Sequence, residues 1–143
     1  MKINIINGPN LNLLGSREPD KYGKMSFEAY CDLLKIRFPD VIFNYFQSNI
    51  EGELINEMHN SINLFDGIIL NAGGYTHTSV ALHDAISAIK IPVVEVHITN
   101  VFAREEFRHK TLISGSCVGT ISGFGMDSYR LAVEALLEIQ EKN

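Results

Sequence analysis

The sequence holds no tryptophan, two cysteines and four prolines in 143 residues. Two cysteines, Cys31 and Cys117, do not make the disulfide framework of a small stapled scaffold. No apolar run approaches the ~20 residues that a membrane-crossing helix requires. Positive charge is also scarce: 12 Lys and Arg stand against 17 Asp and Glu, a formal net charge of -5. An acidic chain is poorly made for gripping phosphate backbones, so nucleic acid is not the expected partner. GxGxxG and GxxxxGK[ST] are absent, and so are HExxH and CxxC. The usual nucleotide cradles and zinc spacings are therefore missing. The start, MKINIINGPN, breaks its apolar run at Asn4 and Asn7, so no signal peptide is expected and a cytoplasmic setting follows as the default.

What is present is an alternation of strand and helix without repeat, low-complexity stretch or linker. Lys2–Asn7, Val41–Gln47, Gly67–Asn71, Pro92–His97 and Gly119–Ser122 read as strands. Phe27, Cys31, Leu34 and Phe38 fall at helical spacing, predicting a helix over Ser26–Phe38 that Pro39 stops. Ser48 followed by Glu51 has the form of a capping box opening a helix to about Leu64. Further helices are expected over Thr78–Lys90 and Asp127–Glu141. Such alternation implies one α/β domain: a doubly wound, five-stranded parallel sheet in flavodoxin-like order 2-1-3-4-5, with helices on both faces.

Ligands in these sheets bind beyond the carboxyl ends of the strands. Asn7, Asn71 and His97 end the first, third and fourth strands and should face one crevice. The first connection, Gly8 to Met25, far exceeds the usual ~2–6 residues and carries Asn10, Asn12, Arg17, Glu18 and Tyr22. It reads either as a lid over the binding edge or as a solvated surface loop. Glu95 lies two residues before His97 on the same strand face, where a carboxylate orients an imidazole and favours its acid form; alone, such a histidine is as readily structural. Tyr22 needs a cation to work as a base, and Arg17 in the same loop is available. Arg104 and Arg108, four apart, would share a helical face, either solvated against Glu105 and Glu106 or binding hydroxyls and anions. In NAGGYTHTSVALHDA, two glycines let backbone approach a ligand, His77 lies near the following helix start, and Asp84 is about two turns further on. His77, Asp84, Glu95 and His97 also form an imaginable metal set, though without a recognised spacing.

Three blocks, NGPNLNLLGSREPDKYG (Asn7–Gly23), NAGGYTHTSVALHDA (Asn71–Ala85) and EVHITNVFAREEFRH (Glu95–His109), with SGFG at Ser122–Gly125, together resemble the type II 3-dehydroquinate dehydratases. The resemblance covers nearly the whole chain. It implies elimination of water from 3-dehydroquinate to 3-dehydroshikimate through an enolate, in the shikimate or quinate pathway, with no metal, no cofactor and no Schiff base. By resemblance, Tyr22 is the general base, Arg17 the lid arginine that keeps it ionised, and Asn10 the residue that helps hold the enolate through a water. His97 is the general acid and Glu95 its orienting partner. Asn71 with the backbone of Ile98 and Thr99 matches the carboxylate site, and His77, Asp84 and Arg108 match groups on the ring hydroxyls; Arg104 supports. The residues 17–24 match the active-site lid. The resemblance also implies a homo-dodecamer built from trimers, in which Asp84 approaches a neighbouring subunit's site.

Two positions depart from the family's commonest pattern. Ala72 stands where proline often follows the asparagine, which predicts a looser turn, and His83 stands where arginine is common, beside Asp84. Other readings stay distinguishable. A non-catalytic flavodoxin-like module would bind a small ligand or flavin without turnover. A Schiff-base dehydratase would use Lys21 or Lys24, and a metal lyase would lose activity to a chelator.

Overall fold

The side chains of β1 (Lys2–Asn7) divide between two cores, and that division sets the architecture. Ile3 and Ile5 join one buried cluster and Ile6 the other, as the two-residue period of a strand requires. The same split recurs in β3 (Gly67–Asn71), with Ile69 on one face and Ile68 and Leu70 on the other, and in β4 (Val93–His97), where Val94 and Val96 oppose Val93. In the computed structural model, which describes residues 1–16, 18, 20 and 23–143, β2 (Ile42–Gln47) and β5 (Gly119–Ser122) flank these strands. The sheet is parallel throughout, in the order β2-β1-β3-β4-β5. It is the flavodoxin-like order expected from the alternation.

Among the described residues, four α-helices cover the two faces. Phe27, Cys31 and Leu34 of α1 (Phe27–Arg37) and Tyr129, Ala132, Val133 and Leu136 of α4 (Asp127–Glu141) fill the first cluster. Leu54 and Met58 of α2 (Glu51–Asn60) and Leu82, Ala85 and Ile86 of α3 (Val80–Ala88) fill the second. Ser26 caps α1 by accepting the Ala29 N–H at 3.2 Å, and Ser79 caps α3 by accepting the Leu82 N–H at 2.9 Å. None of the described helices is long and apolar enough to cross a membrane.

Helix α2 differs from its expectation at both ends. Ser48 and Glu51 do not form a capping box; the Ser48 hydroxyl donates to Glu53 Oε2 at 2.7 Å and accepts the Ile50 N–H at 3.0 Å. The helix stops at Asn60 rather than near Leu64, because Ser61 is drawn onto the sheet. Its hydroxyl donates back to the Glu57 carbonyl and accepts from Asn4 Nδ2, both at 2.8 Å, and Asn63 then turns to φ 66°. Asn4 itself is fully buried at mid-strand and satisfied by Ser61, Glu57 and Asn44.

At the carboxyl edge, Asn7 is the register partner of Asn71, and His97 that of Ser122. The Gly8 N–H donates to the Asn71 carbonyl at 2.7 Å. A Cβ at Gly8 would sit 2.7 Å from the Ala72 carbonyl oxygen, so this close approach admits only glycine. Ala72 is completely buried at φ -75°, a value proline itself would impose, so the turn keeps that geometry without the ring.

Candidate active site

Beyond the carboxyl ends of β1, β3 and β4 lies a cavity of about 160 Å³, lined by Asn10, Asn71, His77, His97, Ile98, Thr99, Arg104 and Arg108 together with Pro9, Leu11, Gly73, Gly74 and Val101. Three separate connections therefore converge on one crevice. Asn10 comes from the β1–α1 connection, where it adopts a left-handed backbone at φ 69° and opens a short 3-10 turn, Leu11–Leu13. Asn49 holds it there: Asn49 Oδ1 accepts the Asn10 N–H at 2.9 Å and Gln47 Nε2 at 3.1 Å. An asparagine tolerates this conformation far better than a branched residue.

Asn71 is buried and held from beneath. Its Nδ2 donates to the Tyr129 hydroxyl at 2.9 Å, its Oδ1 accepts the Gly73 N–H at 3.2 Å, and the Tyr129 hydroxyl donates onward to Asn7 Oδ1 at 2.8 Å. Burial pushes the fully enclosed Tyr129 phenol far above its ordinary titration range, so it remains a neutral donor. Tyr129 carries no motif of its own. The signal available in the sequence was Asn7 facing Asn71 at two adjacent strand ends.

His97 and Glu95 project from one face of β4. His97 Nε2 lies 2.8 Å from Glu95 Oε1, and Glu95 is completely buried. A carboxylate accepts, so Nε2 carries the hydrogen and Nδ1 is the second, proton-exchanging nitrogen. The Ser114 hydroxyl, and the Thr120 hydroxyl at 2.9 Å, donate to the other oxygen, Glu95 Oε2. Burial raises the Glu95 titration, but the hydrogen bonds from His97, Ser114 and Thr120 and the imidazole charge outweigh it and leave it lowered. Ser114 and Thr120 were not among the residues anticipated from sequence: the first serine of an SGSC loop and a threonine on an edge strand look alike whether solvated or not.

The second imidazole, His77, lies nearly parallel to His97 with ring centroids 6.4 Å apart. His77 Nδ1 donates to the Lys110 carbonyl at 2.7 Å, leaving Nε2 to accept from a hydroxyl. Arg104 and Arg108 both line the cavity, but not along a common helix as their spacing suggested. Arg104 ends the 3-10 turn Val101–Ala103 and Arg108 lies in a separate one, Glu106–Arg108. Arg104 Nη1 donates to Thr99 Oγ1 at 3.3 Å. Arg108 Nε donates to Glu105 Oε2 at 2.7 Å, so the solvated ion pair and the cavity position hold together. The Glu105 carboxyl is pushed down to about 2, by a backbone N–H of its own residue and then by Arg108.

Asp84 stands apart. Its side chain on α3 is 72% exposed beside His83, whose Nδ1 lies 3.0 Å from Asp84 Oδ1, and it does not line this chain's cavity. His77 belongs to the 3-10 turn Gly73–His77 before α3, so the two do not share a helix face as their spacing suggested. Arg17 and Tyr22, expected in the lid, lie outside the described residues. Among the described residues, then, the crevice gathers His97 with Glu95 behind it, a second histidine, two arginines, two asparagines and backbone at Ile98 and Thr99. Such a set suits a compact polar anion with several hydroxyls.

Residues 1–137 match the family model described as dehydroquinase class II. A 3-dehydroquinate dehydratase from an Exiguobacterium species is 55% identical over 139 residues, spanning 96% of this chain and 95% of that protein. One from Fusobacterium nucleatum is 50% identical over 147 residues, spanning 99% and 100%. Among solved structures, the type II dehydroquinase from Butyrivibrio crossotus aligns with a TM-score of 0.91 at 41% identity, covering 95% of this chain and 97% of that one.

Proposed function

The chain belongs to the class II dehydroquinase family, and from that premise we propose that it eliminates water from 3-dehydroquinate to give 3-dehydroshikimate through an enolate, with Tyr22 as general base and His97 as general acid. The whole chain serves as one catalytic domain, with residues 17–24 as its lid, in the shikimate or quinate pathway. The observation that carries the reading is the His97–Glu95 pair opening onto a crevice whose other walls are polar and cationic.

In this mechanism the Tyr22 phenolate, kept ionised by Arg17, removes a proton from C2 beside the ketone. Charge builds on the carbonyl oxygen, and Asn10, through a water, helps to hold it; donors fixed in advance around such an oxygen lower the barrier. The enolate then collapses: the C1–O bond breaks, and His97 delivers its proton to the departing hydroxyl, releasing water. Tyr22 ends protonated and His97 deprotonated, and one proton passing back through solvent restores both. Glu95 holds Nε2–H of His97, which turns Nδ1 toward the leaving group. Asn71 and the backbone of Ile98 and Thr99 take the substrate carboxylate; His77 and Arg108 take ring hydroxyls, with Arg104 in support. No cofactor enters the scheme.

Assembly follows the same reading: trimers joined into a dodecamer, with Asp84 offered to a neighbouring subunit's crevice. Its exposure outside this chain's own cavity supports that. So do the exposed Phe102, Phe107, Val118 and Phe124, which fall in and beside the connection that leads to edge strand β5.

The experiment is direct. Purified protein mixed with 3-dehydroquinate is followed in the ultraviolet for the conjugated enone, with and without a chelator. We expect turnover unaffected by the chelator. An unchanged spectrum over hours with folded protein would leave the non-catalytic binding module as the better description.

A further inference from the structure

We propose that Ser114 and Thr120 are positioning residues for the reaction: their hydroxyls together occupy Glu95 Oε2 and hold Glu95 as a carboxylate whose other oxygen is reserved for His97. The inference rests on His97 being the acid of the proposed elimination, but what Ser114 and Thr120 do to Glu95 is testable without substrate.

The geometry begins with a cost. Glu95 is completely buried in the middle of the sheet, where an ionised carboxylate is strongly disfavoured unless its oxygens are supplied with donors. One oxygen has His97 Nε2 at 2.8 Å. Among the described residues, the second has no backbone amide as donor and depends on two hydroxyls that reach it from different parts of the chain. Thr120 comes from β5, directly across the ladder from Glu95. Ser114 comes from the 3-10 turn Ser114–Ser116 that leads into β5, and its own hydroxyl is tethered 2.8 Å from Thr111 Oγ1. Neither Ser114 nor Thr120 lines the cavity. Their effect on chemistry must pass through Glu95.

The charged groups around the pair make that role specific. From β4 itself comes His97, and from the turn after β3 comes His77, stacked on His97. Arg104 and Arg108, from the connection after β4, line the same cavity and are engaged with Glu105. From the segment before β5 comes Cys117, whose thiol is pushed up to about 12 by burial and then by the Glu95 charge, so it adds no anion. The neutral hydroxyls of Ser114 and Thr120 thus stabilise the carboxylate without supplying a competing cation. A lysine or arginine there would take the ion pair away from His97.

With both hydroxyls removed, burial is no longer offset at Oε2. The Glu95 proton is then held more tightly, so Glu95 loses its charge, and with it part of its hold on the His97 Nε2–H, at a higher pH than in the parent.

The test compares the parent with Ser114→Ala/Thr120→Val and with Ser114→Thr/Thr120→Ser, which keeps both hydroxyls. The Glu95 carboxyl is titrated by 13C NMR in glutamate-labelled protein, assigned by Glu95→Gln, and turnover of 3-dehydroquinate is measured on the same samples. We expect the Glu95 midpoint in the hydroxyl-free variant to rise by at least about one pH unit, the acid limb of kcat to move up in pH by a similar amount, and KM near neutral pH to stay within about twofold. The hydroxyl-retaining variant should keep the parental midpoint. If the double variant does not fold, Thr120→Val alone should move the midpoint the same way by less. A parental Glu95 midpoint without the hydroxyls overturns the inference, and so does a raised midpoint with the acid limb of kcat left where the parent has it. Absence of turnover in the parent would instead count against the proposed reaction, with the titration still deciding what holds Glu95.

Discussion

At the scale of single residues, the crevice is built from side chains whose freedom has been removed from behind. Tyr129 shows this most simply. Its hydroxyl is the shared partner of Asn71 Nδ2 and Asn7 Oδ1 in a fully buried position. Tyr129→Phe deletes one oxygen and leaves two buried groups each short of a hydrogen bond, for which ~1–3 kcal/mol each is usual. We therefore expect a loss of at least about 1 kcal/mol in urea unfolding, and a KM increase larger than any loss in kcat, because Asn71 is assigned to the substrate carboxylate. Equal stability and unchanged KM would show that Asn71 does not depend on Tyr129. Glu95 has a related consequence for pH. Its titration is lowered in the folded state, so the stability it contributes is fully present above the ordinary carboxylate range and is lost as pH falls through the lowered value. Much of this layer was hidden in the sequence. Glu95 and His97 were legible because a two-residue spacing on a strand puts both on one face. Ser114, Thr120 and Tyr129 were not, since their partners lie 19, 25 and 58 positions away and only the sheet order brings them together.

At the scale of elements, the strands were the readable part and the connections were not. β1, β3 and β5 have the bounds that their apolar runs and turn residues suggested, and α1 and α3 lie inside their expected spans, each beginning at the residue after its capping serine. α2 was overextended because the hold of Ser61 on Asn4 is a tertiary contact with no local signal. The segment over residues 98–118 was harder still. Its three short 3-10 turns place Arg104 and Arg108 on the cavity wall without the helix that their spacing suggested. The tightest junction is where β1 leaves the sheet. Gly8→Ala would drive a methyl into the Ala72 carbonyl, forcing the ends of β1 and β3 apart under the cavity. Overpacking of this kind typically costs ~1–3 kcal/mol. We expect a lower thermal midpoint and a fall in kcat/KM, since Asn10 and Asn71 flank that junction. A variant that melts and turns over like the parent would show that the backbone there yields without consequence.

At the scale of the whole molecule, the fold places the crevice, and the chemistry comes from what three connections bring to it. Topology was legible because strand–helix alternation with two-faced strands admits few arrangements. What the single chain does not contain was named only by resemblance: the contribution of Asp84 belongs, in this account, to a neighbouring subunit, and its exposed position on α3 gives no local hint of a partner. The proposed base is likewise set by the match of NGPNLNLLGSREPDKYG to the family and not by any spacing. The measurement that bears most directly on the account is therefore the turnover of 3-dehydroquinate by Tyr22→Phe, alongside calorimetric binding of the product. General-base assistance is usually worth ~10²–10⁴-fold, so we predict that kcat falls by at least about 100-fold while product binds with near-parental affinity. A kcat within about twofold of the parent would contradict the account, because no phenol would then be needed to take the proton.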